Sequence, residues 1–264
     1  MAKTLRSSVK DALNRSIKGD VLTPTQFLSS TLDLDFAGTK SLKNAIDGKD
    51  LVTHTRASSA TYVGGDGLIK TAATNLLLNS EDITGSGWAL YGGGTGTTPV
   101  VTANYGIAPD GTQTADRLQL DKGSGTTAAD QANISTNSYS TITGLPYTQS
   151  IYLKTVDGSS KDIRFSFSGA SPSIITVTGE WQRFVVTDDV AQDTVRRMRV
   201  ALRGTTGTSN SADLLVWGAQ VEQGTTAGEY VKTTSTTNSA PRFDYDPATG
   251  ESLGLLVEEA RTNL

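Results

Sequence analysis

The sequence predicts a mainly β protein: an antiparallel β-sandwich of the jelly-roll type, with a short helical segment at the N-terminus. Between about residues 75 and 237, short runs of alternating apolar and polar residues are separated by clusters of Gly, Asn, Asp and Ser. The 27 glycines and the abundant Ser and Thr favour many turns. No helical period interrupts this span, and strands without helices between them indicate a sandwich.

The N-terminal segment carries the only helical pattern. From Thr4 to Lys18 the apolar residues fall on one stripe, and Gly19 follows where a helix would end; Thr23–Leu28 is a second candidate. Helices this short need a surface to cover the stripe, which is either the chain's own sandwich or another protein of an assembly. The docking residues are predicted to be Leu5, Val9, Leu13 and Ile17.

Two hairpins are predicted outside the long β region. A strict alternation over Leu32–Phe36 indicates a first strand. The run Val52–Val63, the turn Gly64–Gly67 and the run Leu68–Thr71 then form a hairpin. A second hairpin follows Pro241, with its turn at Asp246–Gly250.

The long β region contains nine predicted strands. They are Pro99–Ala103, Ala115–Leu120, Gln131–Ser135, Tyr147–Thr155, Asp162–Ser168, Ser173–Val177, Trp181–Thr187, Arg197–Leu202 and Ala212–Gln220.

Composition excludes several classes of protein. With 23 Lys and Arg against 27 Asp and Glu, and no basic run, the sequence predicts no nucleic-acid surface. The absence of Cys excludes disulfides and thiolate chemistry. No secretory signal and no run of about eighteen apolar residues is present, so we expect synthesis in a cytoplasm without membrane insertion.

A series of motifs follows one another along residues 32–264. These are Arg56–Val63 with Asp66–Lys70, Asn75–Asp82, Ala108–Gly111 with Thr114–Leu118, Tyr152–Lys154, Trp181–Arg183, Trp217–Glu222, and Pro241–Pro247 with Gly254–Asn263. In this order they resemble structural proteins of tailed bacteriophages, namely tail fibres and head spikes, in which a lectin-like segment adjoins a carbohydrate-binding-like jelly roll.

The resemblance implies a galactose-binding or carbohydrate-binding-module-like sandwich and four regions. Residues 1–30 would attach the chain to the virion, 31–74 form a β segment with the first hairpin, 75–237 the jelly roll, and 238–264 a hairpin that pairs with 50–74. In similar proteins the two hairpins often follow each other directly, so the jelly roll resembles an insertion.

Catalysis has little support in the sequence. His54 is the only histidine and has no adjacent carboxylate. The pairs Asp188–Asp189 and Glu258–Glu259 are adjacent, which on a strand turns the two side chains to opposite faces, and a distant pair such as Glu81 with Asp116 is a weaker alternative. Gly92–Gly96 lacks the Lys of a phosphate loop and is interpreted as a flexible inter-strand loop. The sequence therefore predicts a protein that is not an enzyme.

Glycan binding would depend on exposed aromatic rings with polar partners. Trp181 and Trp217 lie in strand motifs with apolar neighbours and are predicted to be core residues. The predicted glycan-binding residues, placed in Gly-rich loops, are Trp88, Tyr91 and Tyr105 with Asn104. Similar jelly rolls also hold a structural calcium ion, and the corresponding regions here contain Glu81, Asp82, Asp213 and Glu222, for which plain solvated charge is the alternative.

Three functions stay open from the sequence. The first is a phage structural and adhesion protein, favoured as a homotrimer, that docks on capsid, portal or tail proteins, is released within assembled virions, and contacts a host surface glycan. The second is a capsid decoration protein without glycan binding, in which Trp88, Tyr91 and Tyr105 would be buried against neighbouring chains. The third is a glycan-degrading tailspike enzyme, which would need two carboxylates in one cleft.

Overall fold

The computed structural model describes residues 3–5, 32–49, 52–191 and 193–257. Lys3–Leu5 form strand β1, so the predicted helix is wrong at its start, where the backbone pairs with a later strand instead. The docking residues Val9, Leu13 and Ile17 and the second predicted helix lie outside the described residues.

The chain divides into two compact units. One unit comprises residues 73–238 and is called the module below; the other comprises residues 1–72 and 239–264. No helix of the described residues has the length and apolar character needed to span a membrane.

The module is an antiparallel sandwich of two five-stranded sheets. Sheet I contains, in spatial order, β13 (Gln182–Asp188), β10 (Tyr147–Thr155), β16 (Ser211–Gln223), β7 (Ala115–Asp121) and β6 (Val100–Gly106). Sheet II contains β12 (Ser173–Val177), β11 (Lys161–Phe167), β15 (Met198–Arg203), β8 (Gln131–Thr136) and β5 (Trp88–Gly93). The predicted fold class is confirmed.

The core lies between the two sheets and is formed by every second residue of their strands. On β10, Ile151 and Leu153 are fully buried and point inward, while Tyr152 and Lys154, which alternate with them, point outward. On sheet II, Phe165 and Val200 are also fully buried and meet the side chains of sheet I. Each such side chain contributes about 1.5 to 3 kcal/mol by leaving water.

Each of the nine predicted strands overlaps a strand of the module, but β5 was not predicted. The sequence interpretation placed Trp88 and Gly92–Gly96 in loops because glycine is rare in strands. In the structure Trp88–Gly93 pairs with β8 at the edge of sheet II, and only Gly94–Gly96 lies in the turn that follows. The prediction of a loop is therefore wrong for Gly92 and Gly93.

Both predicted hairpins are present in the other unit, with shorter strands. The first pairs β2 (Thr61–Val63) with β3 (Ile69–Thr71). The second pairs β18 (Phe243–Tyr245) with β19 (Ser252–Val257), and β19 also pairs with β1. The predicted turn is confirmed by the bond from Gly250 N to Asp246 O at 2.8 Å.

The two hairpins contact each other although each belongs to its own sheet. Arg242 Nη1 donates to the carbonyl oxygen of Thr61 at 2.8 Å. Just before the second hairpin, Ser239 donates from its backbone N to Arg56 O and from its hydroxyl to Ser58 O, both at 2.9 Å. These bonds join chain segments about 180 residues apart.

The predicted strand over Leu32–Phe36 is wrong. Phe36 is buried and begins a single helical turn, α1 (Phe36–Thr39), and Leu32 is 49% exposed. The Asp35 carboxylate accepts a bond from Gly38 N at 2.8 Å, and this cap favours the turn over an extended chain.

The remaining strands are two residues long: β4 (Thr74–Asn75), β9 (Tyr139–Ser140), β14 (Val195–Arg196) and β17 (Asn238–Ser239).

Candidate functional site

The sandwich presents two outer faces, one on each sheet. We call the outer side of sheet II the Tyr91 face and that of sheet I the Trp217 face. The Tyr91 face consists of residues that alternate with core positions: Tyr91, Gln131, Asn133, Arg164, Arg199 and Arg203. The Trp217 face is built in the same way from Tyr105, Arg117, Tyr152, Asp213, Leu215 and Trp217.

Tyr91 is the exposed ring of the Tyr91 face. It is 53% exposed and lies on β5 opposite Asn133 of β8. Its ring lies over Gly93, since a β-carbon added to Gly93 would be 2.9 Å from both Cε1 and Oη of the tyrosine. Glycine at this position thus lets the ring lie along the strand with one side towards solvent.

Small and amide side chains extend from Tyr91 across the sheet. Asn133 pairs with Ala201 of β15, and Ala201 pairs with Arg164 of β11. Asn133 and Ala201 are 5% and 2% exposed although both point outward. Their burial indicates that larger side chains stand on both sides of this row, which we call the floor of the Tyr91 face.

Three arginines stand beside this floor without an acidic partner. Within the described part of the chain, none of Arg164, Arg199 and Arg203 forms an ion pair, and Arg199 Nε is buried without a hydrogen-bond partner. Arg203 Nε donates to Ala128 O at 2.8 Å, and Arg164 Nε lies 3.3 Å from Ser166 Oγ. Most of their guanidinium donors therefore stay available to a ligand.

Burial and mutual repulsion act on these arginines. Burial lowers the pKa of Arg164 below its ordinary value, and the charges of Arg203 and Arg199 lower it further. Burial and the charges of Arg203 and Arg197 lower the pKa of Arg199 in the same way. Guanidinium groups nevertheless remain charged at neutral pH, so the Tyr91 face is strongly positive.

The Trp217 face is filled by its own aromatic side chains. Trp217 is 6% exposed, its ring centroid lies 4.6 Å from that of Tyr230 and 5.4 Å from that of Tyr152, and its Nε1 donates to Thr114 Oγ1 at 3.0 Å. The prediction that Trp217 is buried is confirmed, although it packs outside sheet I and not between the sheets. Trp181 is only partly buried at the margin of this cluster, so its predicted core position is wrong.

Tyr105 and Asn104 belong to the Trp217 face. Tyr105 is 46% exposed and its ring lies 4.8 Å from the guanidinium carbon of Arg117. Arg117 in turn donates to both carboxylate oxygens of Asp213, at 2.8 and 2.6 Å. Asn104 has a φ of 50°, and its backbone N donates to Asp116 Oδ1 at 2.8 Å within an irregular part of β6. The structure therefore separates Tyr91 from Tyr105, which lie on opposite faces.

Trp88 is not available to a ligand. It is 9% exposed and belongs to the core between the sheets, so its predicted exposure is wrong. The reason is its inward position on β5, where it lies opposite Thr136 of β8.

The carboxylates predicted for calcium each have partners within the protein. No group of three or more His, Asp or Glu among the described residues is arranged to hold a metal ion. The partners are Lys232 and Tyr230 for Glu81, Thr84 for Asp82, Arg117 for Asp213, and Gln220 and Gly228 for Glu222.

Most of the residues that the sequence offered as candidates for catalysis are buried, bonded within the protein or outside the described residues. Burial lowers the pKa of His54, and the charges of Arg56 and Arg242 lower it further, so its imidazole stays neutral at neutral pH. Asp116 accepts bonds from the backbone N of Ile83 and Asn104, both at 2.8 Å, and burial raises its pKa. Asp188 pairs with the buried Arg196 at 3.0 Å, and Glu258–Glu259 lies outside the described residues.

No protein-family model and no curated protein matches this chain. Solved structures with a similar fold include a family 11 carbohydrate-binding module from Clostridium thermocellum in complex with a β-1,3-1,4-mixed-linked tetrasaccharide, at 15% identity and a TM-score of 0.38, covering 58% of this chain and 96% of that one. The CBM22-1 xylan-binding domain from Paenibacillus barcinonensis Xyn10C has 20% identity and a TM-score of 0.38, with 59% and 98% covered.

A third similar structure is the enzymatically active domain of tailspike protein 4 of bacteriophage CBA120. It has 15% identity and a TM-score of 0.36, and the alignment covers 56% of this chain but only 21% of the tailspike chain. Identities and TM-scores this low carry no conclusion about activity. The function of this chain has to be argued from its own surfaces.

Proposed function

We propose that the module is a non-catalytic glycan-binding domain and that the Tyr91 face is its binding surface. One observation carries this proposal: the exposed ring of Tyr91 lies on an edge strand opposite the buried, outward-facing Asn133, and none of the three arginines on the same face forms an ion pair within the described residues. Proteins bind sugar rings through apolar contact with an aromatic side chain and through hydrogen bonds to the hydroxyl groups.

The Tyr91 face supplies both parts of such recognition. Tyr91 offers a ring already held by Gly93, so little conformational freedom is lost on binding. Gln131 and Asn133 lie on β8 next to the ring, and Arg164 lies two strands further across the sheet. Amide and guanidinium groups at these positions can donate to successive hydroxyl oxygens of an extended glycan.

The proposed role in the particle extends this function. The chain would be a structural component of a tailed-phage virion that projects the module towards host surface glycans. The motifs shared with fibre and spike proteins occupy hairpins that contact each other through Arg242 and Thr61, which supports a connecting unit into which the module is inserted. Trimers would combine three weak sites into useful avidity.

Glycan binding is tested with the full chain and two matched variants. Tyr91 and Tyr105 are both exposed tyrosines, 53% and 46%, on opposite faces. Tyr91→Ala should abolish retardation in affinity electrophoresis against a panel of soluble glycans, whereas Tyr105→Ala should leave it unchanged. Loss with Tyr105→Ala alone would assign binding to the Trp217 face, and no retardation of the wild-type chain by any glycan would contradict the proposal.

The role in the particle needs a different measurement. Electron microscopy of virions labelled with an antibody to the module should locate it at fibre or spike tips. A module lying flat on the capsid with Tyr91 covered by neighbouring subunits would favour a decoration protein, and absence of the chain from purified virions would contradict both roles.

A further inference from the structure

The three arginines of the Tyr91 face point beyond glycan binding in general to the class of glycan. We infer that the face binds an anionic polysaccharide, one that carries carboxylate or phosphate groups along its length. This inference rests on the proposed function and specifies its ligand.

Within the described residues, the hydrogen bonds of the three arginines do not neutralise their charge, because they are made to uncharged oxygens. In the described residues no carboxylate lies within ion-pair distance of Arg164, Arg199 or Arg203. The acidic side chain at the end of the same face, Asp162, accepts bonds from the hydroxyls of Thr176 and Thr208 at 3.1 and 2.7 Å. A partly buried charge without a partner of opposite charge lowers the stability of the fold. A bound ligand of opposite charge would compensate for this cost, which explains why the arginines are present.

The chemistry of the group fits carboxylate or phosphate. The guanidinium fork forms two parallel hydrogen bonds to either anion, and such charge-assisted bonds are stronger than bonds to a hydroxyl group. The buried, unpartnered Nε of Arg199 adds a donor that water does not reach. A neutral glycan would leave these charges uncompensated after water had been displaced.

The spacing fits a polymer better than a single small anion. Arg199 and Arg203 lie four residues apart on β15, which corresponds to about 13 Å along the strand. Arg164 stands between them in register, opposite Ala201 on the neighbouring strand. The positive charge thus follows the direction of β15, as a chain with repeated anionic groups would require.

The experiment measures binding of the full chain to four probes: polygalacturonate with carboxylates, a glycerol-phosphate teichoic acid with phosphodiesters, neutral mixed-linkage β-glucan, and poly-glutamate. Arg199→Gln and Arg164→Gln should each weaken binding to an anionic glycan by about tenfold or more. Lys154→Gln removes one charge from the opposite face and should change it by less than about twofold. Thermal melts monitored by circular dichroism check that each variant is folded.

The outcomes separate the two proposals. Arginine-dependent binding to polygalacturonate or teichoic acid, weakened by salt, supports the inference, and the preferred probe identifies the anionic group. Binding to β-glucan alone, unaffected by either arginine variant, would overturn the inference and leave glycan binding in place. Arginine-dependent binding to poly-glutamate without binding to any glycan would overturn both and identify an acidic protein as the partner.

Discussion

On the Trp217 face, aromatic and charged side chains pack against one another, whereas on the Tyr91 face Tyr91 is exposed and the three arginines form no ion pair within the described residues. Arg117 is held by Asp213 and stacks on Tyr105, while Arg199 has no acidic partner among the described residues and lies near further positive charge. One fold can therefore use the side chains of one outer face for internal contacts, while under the proposed function the other face is left for a ligand. Stability is expected to come from the first face and binding from the second.

The largest effect that tests this difference is the loss of Trp217. Trp217→Ala should lower the free energy of unfolding by about 3 to 5 kcal/mol, because it removes a buried indole that contacts Tyr152 and Tyr230. Urea unfolding followed by circular dichroism measures the change. Trp181→Ala, at the margin of the same cluster, serves as the control and should cost clearly less; equal losses would mean that the cluster does not stabilise the module.

Substitution of Arg117 and of Arg199 should change the free energy of unfolding in opposite directions. Arg117→Gln breaks the bidentate pair with Asp213 and should destabilise the chain by a small amount, because the pair is partly exposed to solvent. Arg199→Gln removes repulsion and should be neutral or stabilising by a similar amount. The same unfolding experiment compares them, and destabilisation by Arg199→Gln beyond that of Arg117→Gln would show that Arg199 is a structural residue.

The pKa shifts of two aspartates predict opposite dependences of stability on pH. Asp130, beside the β5 edge, accepts bonds from Thr95 N, Thr127 N and Thr127 Oγ1, and these donors lower its pKa. The ionised Asp130 contributes to the free energy of unfolding above the ordinary carboxyl pKa of 3.8. This contribution is lost as the pH falls towards the lowered pKa of the folded chain. The melting-temperature difference between wild type and Asp130→Asn should therefore shrink below about pH 4.

Asp116, on the inner side of β7, provides the matched contrast. Burial raises its pKa, so the folded chain disfavours the ionised form. Relative to Asp116→Asn, the contribution of Asp116 to the free energy of unfolding is greatest below the ordinary carboxyl pKa. It falls as the pH rises through the raised pKa of the folded chain. Parallel melting curves from pH 3 to pH 7 should show the two differences changing in opposite directions, and parallel changes would contradict the assigned pKa shifts.

The smallest expected effect on stability concerns the support of Tyr91. Gly93→Ala places a methyl group 2.9 Å from the tyrosine ring and 3.0 Å from Ala129 O, so the ring must move while most of the fold remains. We expect a stability change of less than about 1 kcal/mol with glycan affinity several-fold weaker. Unaltered affinity would show that ring orientation does not matter for binding.

Much of the fold followed from local pattern, and much of the site did not. The strand predicted over Tyr147–Thr155 matches β10 at both ends, because one face of that strand is buried over its whole length. The Gly-rich segment at Trp88–Gly93 has no such pattern, so its pairing with β8 could be seen only in the folded chain. Missing β5 led directly to the wrong exposure of Trp88 and to the grouping of Tyr91 with Tyr105.

The arginines of the Tyr91 face could have been found from the sequence. Arg199 and Arg203 alternate with the core residues Val200 and Leu202, so both had to point away from the core. Alternation alone does not say that Arg164 from another strand stands beside them, nor that no carboxylate of the described residues lies within ion-pair distance. That information depends on the strand order of sheet II.

The sequence by itself determined the β-sandwich class, the two flanking hairpins and the inward side of most strands, because these follow from period-two burial and from turn residues that act over a few positions. The tertiary structure decided which residues share an outer face. It placed Tyr91 on the same face as arginines that form no ion pair within the described residues, and Tyr105 beside an arginine already neutralised by Asp213. Strand order and sheet membership are set by contacts between distant segments, and no local pattern carries that information.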